Sequence, residues 1–258
     1  MRIAAVQFDF DEDEPFDARV ERMLSLVASA AVDADLVVLP ELWPNGGFTY
    51  QAWEPTAQSL DGPLVAQLQD AARSASVVLH AGSFIERHAD GSLTNTAVLI
   101  DPDGAINVVY RKIHLFGFTD GEPKYLVGGD DLVVADTAVG RLGLATCYDL
   151  RFPEMFRQLT DERVDLFVVP AAWPASRVGH WTVLTQARAI ENQTPLVALN
   201  TAGTHGGVPM GGRSIAVDAM GTVLAELGTD EGILRAEIDS VATAEWRERF
   251  PALGDRRL

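Results

Sequence analysis

Cysteine is almost missing from this chain: Cys147 is the only one. A single thiol excludes an intramolecular disulfide framework and fits a reducing cytoplasm. It also argues against a thiol redox protein, since no second cysteine can resolve a sulfenate or disulfide. Positive charge is scarce too: 20 lysines and arginines face 37 acidic residues, for a net charge of −17. Such a surface repels phosphate backbones, so no nucleic-acid partner is expected. No apolar run approaches the roughly 20 residues that cross a bilayer. The N-terminus, MRIAAVQFDFDEDEP, turns acidic too early for a signal peptide. No membrane partner is therefore expected. The five histidines, at 80, 88, 114, 180 and 205, show no ligand spacing such as HExxH, so no metal site is expected. The Gly-rich stretch 203–212 lacks the GK[ST] of a phosphate loop, and no nucleotide is expected there. No linker or low-complexity segment divides the chain, and residues 1–258 read as one domain.

What is present is an alternation of apolar runs and helical periodicities. Residues 3–8, 36–39, 77–84, 96–100 and 106–110 read as strands, the last two joined by the hairpin signal Asp101-Pro-Asp-Gly104. Helical spacing runs from Phe16 through Val20, Met23, Leu24, Val27 and Ala31, and again from Pro63. Residues 9–15 read as a solvated acidic loop, and 43–50 and 111–129 as loops. The second half repeats the order. Strands are expected at 132–135, 142–145, 166–169, 196–199, 215–217, 223–227 and 233–238. Helices are expected at 153–159, around Trp181 to Glu191 with Asn192 as a left-handed cap, and at 241–250. Alternating strands and helices with added hairpins argue a layered α/β fold.

The chain is organised around VGRLGLATCYDLRFPE, residues 139–154. An apolar strand leads into Cys147, polar residues follow, and Pro153 opens a helix. A nucleophile between strand end and helix start sits on a tight, exposed elbow whose N–H groups can bind negative charge. The competing reading is a small buried hydrophobe. Glu41 and Lys112 each follow a strand as well. In α/β sheets, sites gather at the carboxyl ends of strands. A carboxylate base, an ammonium to hold an oxyanion, and a thiol suffice for acyl transfer. Taken singly, a loop Glu or Lys is as well explained as solvated surface.

PEL at 40–42, YRKIHLF at 110–116 and CYDLRFPE at 147–154 resemble the nitrilase superfamily of carbon–nitrogen hydrolases, and more closely its ω-amidase-like amidase branch. AAWPASR at 171–177, ARAIENQ at 187–193 and GRSIAVDAMG at 212–221 extend the resemblance in the same order. It implies an αββα sandwich, with dimers stacking into an αββα–αββα assembly, so a homodimer or higher homo-oligomer is the expected partner state. It implies Glu41 as general base, Lys112 as the lysine, Cys147 as nucleophile, the Tyr148 N–H as an oxyanion donor, and Glu122 as a second glutamate ahead of Gly129-Asp130. It also implies a small amide substrate and no cofactor. An N-carbamoyl compound or a nitrile is the alternative substrate, and a non-catalytic small-molecule binder the alternative class.

Arg177, in the loop after the strand at 166–169, is a candidate anchor for a substrate carboxylate; a surface or dimer-contact arginine is the other reading. Trp173 is a candidate pocket wall, together with Trp43, Tyr50 and Trp181, against the core role usual for aromatics. Asp149, Arg151 and Glu154 are candidates for touching substrate, but an ion-pair network holding the elbow is the favoured reading. Arg188 and Glu191 are expected to pair across one helical turn.

Overall fold

A computed structural model describes residues 1–118 and 120–257. The first half runs β1 (Arg2–Gln7), β2 (Asp9–Phe10), α1 (Phe16–Ala30), β3 (Leu36–Val38), α2 (Tyr50–Thr56), α3 (Pro63–Ala75), β4 (Val78–Arg87), β5 (Leu93–Ile100) and β6 (Ile106–Arg111). The second runs β7 (Val134–Thr137), β8 (Gly140–Leu144), α4 (Pro153–Asp161), β9 (Leu166–Pro170), α5 (Val178–Asn192), β10 (Leu196–Leu199), β11 (Ala202–His205), β12 (Val208–Pro209), β13 (Ile215–Val217), β14 (Val223–Glu226), β15 (Gly232–Glu237) and α6 (Ser240–Arg249).

Two six-stranded sheets result, ordered β15-β1-β3-β4-β5-β6 and β14-β13-β10-β9-β8-β7. They share one pattern. β1, β3 and β4 are parallel, as are β8, β9 and β10; each trio continues into two antiparallel strands and carries one antiparallel strand on its other edge. The repeated order read along the sequence is thus a repeated sheet.

Side-chain alternation divides the layers. Ile3, Ala5, Leu36 and Val38 pack in one apolar cluster with Leu142, Leu144, Val168 and Ala198 of the other sheet. Their neighbours Ala4, Val6, Val37 and Leu39 face the opposite way, onto Val20, Met23 and Val27 of α1 and Leu64, Leu68 and Ala72 of α3. On the far side, Phe156 of α4 meets Phe167 of β9 edge to face at 5.1 Å. The fold is an αββα sandwich. No helix among the described residues is long and apolar enough to cross a membrane.

Several expectations change. The acidic stretch 9–15 is not wholly solvated: Asp9 and Phe10 pair with Ala202 and Gly203, and Arg19 binds the carbonyls of Asp11 and Glu14. The Gly-rich stretch 203–212 contains the β11–β12 hairpin. Helix α2 has no counterpart in the sequence reading, because YQAWEPT is short and carries Pro55. The left-handed cap of α5 is Gln193 (φ 47°), while Asn192 is the last, buried helical residue, its amide donating to the Arg188 carbonyl.

Candidate active site

Three strand ends bring the expected residues together. Glu41 lies just past β3, Lys112 just past β6 and Cys147 just past β8. Two of these turns are strained: Leu42 (φ 47°) and Cys147 (φ 49°) occupy the left-handed region without being glycine. Gly82 (φ 65°) lets the first turn close. A Cβ there would lie 2.1 Å from the Pro40 carbonyl oxygen, and the next residue, Ser83, donates its N–H to that oxygen and accepts from the Leu42 N–H.

Asp149 fixes the second turn. It is fully buried, and its carboxylate accepts from the Thr146 N–H at 2.8 Å, the Tyr110 hydroxyl at 2.6 Å and the His114 N–H at 3.0 Å. The elbow and the segment carrying Lys112 are thereby held as one piece. Burial, with the Asp149 charge, pushes the Tyr110 phenol well above its ordinary value, so it stays a donor. The expected three-residue ion-pair network is not formed. Arg151 turns to the cavity wall, and Glu154 is exposed without an ion pair among the described residues. Arg188 and Glu191 do pair, at 2.9 Å.

The Lys112 ammonium, 2 % exposed, lies 2.8 Å from Glu41 Oε1 and 2.9 Å from Glu122 Oε1. The remaining carboxylate oxygens are also satisfied: Glu41 Oε2 accepts from the Ala172 N–H at 2.8 Å, and Glu122 Oε2 from the Phe116 N–H at 2.6 Å. Asn95 joins the two acids, its amide donating to Glu41 Oε1 at 2.9 Å and to Glu122 Oε1 at 3.3 Å. Burial alone would lower the Lys112 ammonium, but Glu122 and Glu41 hold it well above its ordinary value, so it is charged. Burial raises Glu122 despite that ammonium. Burial also pushes the Cys147 thiol well up, and the charge of Glu41 and its hydrogen bond add to the shift. The resting thiol is therefore neutral and next to a carboxylate able to take its proton.

A cavity of about 390 Å³, counted out into its open mouth, exposes this group. Glu41, Lys112, Glu122 and Cys147 form its floor; Tyr148, Trp173 and Arg177 line it with Phe48, Tyr50, Phe116 and Arg151. All seven expected site residues therefore converge. Trp43 and Trp181 do not; both are core, their indole N–H groups donating to the carbonyls of Ala81 and Arg213. Tyr148 is the second residue of the short turn Cys147–Arg151, where the first N–H groups find no partner within the turn. Asn95 was missed. Its one signal is an Asn inside an apolar strand, where that residue type is depleted. The arrangement supplies a base, a fixed cation, a free N–H and a thiol, which is what acyl transfer needs.

The carbon–nitrogen hydrolase family matches residues 2–248. A 2-oxoglutaramate amidase of Paenarthrobacter nicotinovorans is 44 % identical over 262 residues, covering 99 % of this chain and 89 % of its own length. A carbon–nitrogen hydrolase superfamily protein of Xanthomonas campestris, solved with an arsenic adduct in its active site, superposes with a TM-score of 0.92 at 31 % identity, covering 100 % of this chain and 97 % of its own. A mutant of the amidase of Nesterenkonia sp. AN1, carrying the acetamide moiety of fluoroacetamide on its active-site cysteine, gives 0.85 at 26 % identity, covering 99 % and 96 %.

Proposed function

The chain belongs to the carbon–nitrogen hydrolase family and is an amidase, and from that premise we propose how it works and on what: Glu41, Lys112 and Cys147 hydrolyse the terminal amide of a small dicarboxylate monoamide. Glu41 takes the proton of Cys147 as sulfur attacks the amide carbon. Lys112 and the Tyr148 N–H stabilise the oxyanion, which exists only beyond the ground state. The C–N bond breaks as Glu41 returns the proton to nitrogen; ammonia leaves and a thioester remains. Glu41 then takes a proton from water, hydroxide adds to the thioester, and the acid departs as the thiol is reprotonated. Glu122 keeps Lys112 in place without touching the substrate carbonyl. A nucleophilic thiol of this kind works in a reducing compartment, as the cytoplasm is. The reading takes the chain as one catalytic domain and expects a homodimer or higher homo-oligomer. Val183 and Ile190, exposed seven residues apart on α5, offer an apolar stripe for that contact.

The observation that carries the substrate class is Arg177. It lines the cavity that opens on Cys147, its guanidinium 5.1 Å above the Phe116 ring, in a chain of net charge −17. A planar fork held this way suits a carboxylate at the far end of a short amide. The relative from P. nicotinovorans is named for such a substrate. The experiment compares ammonia release from glutaramate and from pentanamide, an amide of equal length without the carboxylate, in wild type and Arg177→Ala. The variant should lose glutaramate selectively, by up to about 3 kcal/mol for a hydrogen bond to a charged group. Equal losses on both substrates, or none, would leave a neutral aliphatic amide as the better assignment.

A further inference from the structure

Besides the two six-stranded sheets, β12, β11 and β2 form a third. Its strand β11 ends on His205, which is fully buried and does not line the cavity. His205 Nδ1 accepts from the Gly47 N–H at 2.8 Å. Gly47 and Phe48 do line the cavity that opens on Cys147. The next residue, Gly206, touches the same loop: a Cβ there would lie 2.2 Å from the Phe48 carbonyl oxygen. The Gly206 N–H is itself tied to the Glu12 carboxylate. Phe10 of β2 carries the His205 ring at 4.5 Å and the Arg19 guanidinium at 4.0 Å, and Arg19 donates to the Pro44 carbonyl at 2.7 Å. The loop is thus gripped at Pro44, Gly47 and Phe48 by residues that lie outside the cavity.

Burial holds the His205 ring down to a pKa of about 3, so it is neutral at ordinary pH. Nδ1 is then an acceptor and the proton sits on Nε2, which has no partner among the described residues. A position that needs only bulk is better filled by phenylalanine, which buries no polar atom. The bond to Gly47 is what the imidazole adds. Gly47 sits in a tight place: a Cβ there would lie 2.5 Å from the Ala172 Cβ, and the Ala172 N–H holds Glu41 Oε2. We propose that His205 is a positioning residue for the amidase reaction: through Nδ1 it fixes Gly47, and with it the cavity wall against Ala172 and the base Glu41. This rests on the cavity being the active site, as proposed above.

The test crosses two variants. His205→Phe keeps the ring and its stacking on Phe10 but loses the acceptor. His205→Asn loses the ring but can place its carbonyl oxygen where Nδ1 was. Urea midpoints give stability, and ammonia release gives kcat/KM on whichever of glutaramate and pentanamide wild type turns over faster. His205→Phe should lose about 10–100-fold, since misplacing a group by about 1 Å away from the chemistry can cost that much. His205→Asn should be the more active variant, within about 3-fold of wild type, although the smaller side chain makes it the less stable. Packing alone predicts the opposite order, activity following stability. Equal losses, no loss in His205→Phe, or the reversed order overturns the inference. If His205→Phe does not fold, His205→Asn decides by the same 3-fold margin. If His205→Asn does not fold, the ring's bulk is what the position needs and the inference falls. Failure of the underlying reading looks different: the folded Cys147→Ala variant would then keep its activity.

Discussion

Replacing Lys112 with methionine should change stability and its pH dependence together. The ammonium lies within 2.9 Å of two buried carboxylates, and Glu122 is already raised by burial. Without the cation, two acids share a dry site with only the Asn95 amide and backbone N–H groups to neutralise them. Removing one partner of a buried pair costs about 3–5 kcal/mol. Part of that cost is avoidable, because Glu122 can take a proton. A carboxyl whose folded pKa lies above its unfolded value stabilises the fold below the unfolded pKa, and that stability is lost as pH rises through the folded value. The gap between wild type and Lys112→Met should therefore be widest at pH 8 and narrow at pH 5. Adding Glu122→Gln should recover most of it at pH 8. Urea unfolding of the three proteins at both pH values measures this, and ammonia release should fall about 10²–10³-fold with the loss of an oxyanion partner. A gap equal at both pH values, or a double variant no better than the single, would refute this account of Lys112.

Asn95→Ala should lower kcat more than it raises KM, by about 10–100-fold for a lost hydrogen bond to a charged group. A pure KM effect would count against positioning. His80 and His205 are buried, with pKa values lowered to about 4 and about 3 by burial. Unfolding lets them bind protons below about pH 6.5, so each should cost up to about 1.4 kcal/mol of stability per pH unit between there and its folded value. His205→Gln should flatten that slope between pH 4.5 and 6.5. Glu122 acts in the opposite direction but equally in both proteins, so identical slopes would contradict the reading of His205.

The parts of the fold that periodicity can carry were legible. Strands such as 36–38 and 166–170 are apolar because both faces are buried, and Glu41 and Cys147 stand out as polar groups that end such runs. Lys112 was legible by the same rule. Glu122 was not placed by spacing: it folds back onto Lys112 through the Phe116 N–H and carbonyl, contacts with no sequence period. Asn95 hides inside β5, where its pairing with two acids depends on the end of β3 and the turn Glu122–Lys124 both folding onto it. Arg151 was misjudged because Asp149 and Glu154 flank it in sequence. The turn sends Asp149 inward to Tyr110 and Thr146 while Arg151 moves onto Trp173. Nearness along a chain says little about which side of a turn a charge occupies.

The central claim, amide hydrolysis through the Cys147 thiol, is tested most directly by ammonia release from 2-oxoglutaramate and glutaramate with purified Cys147→Ala. The thiol is a small buried group, 8 % exposed, on a turn fixed by Asp149, so the variant should fold and unfold as wild type does. With the fold verified by its urea midpoint, no ammonia above background is expected from either substrate. Ammonia released near the wild-type rate by the folded variant would contradict the account.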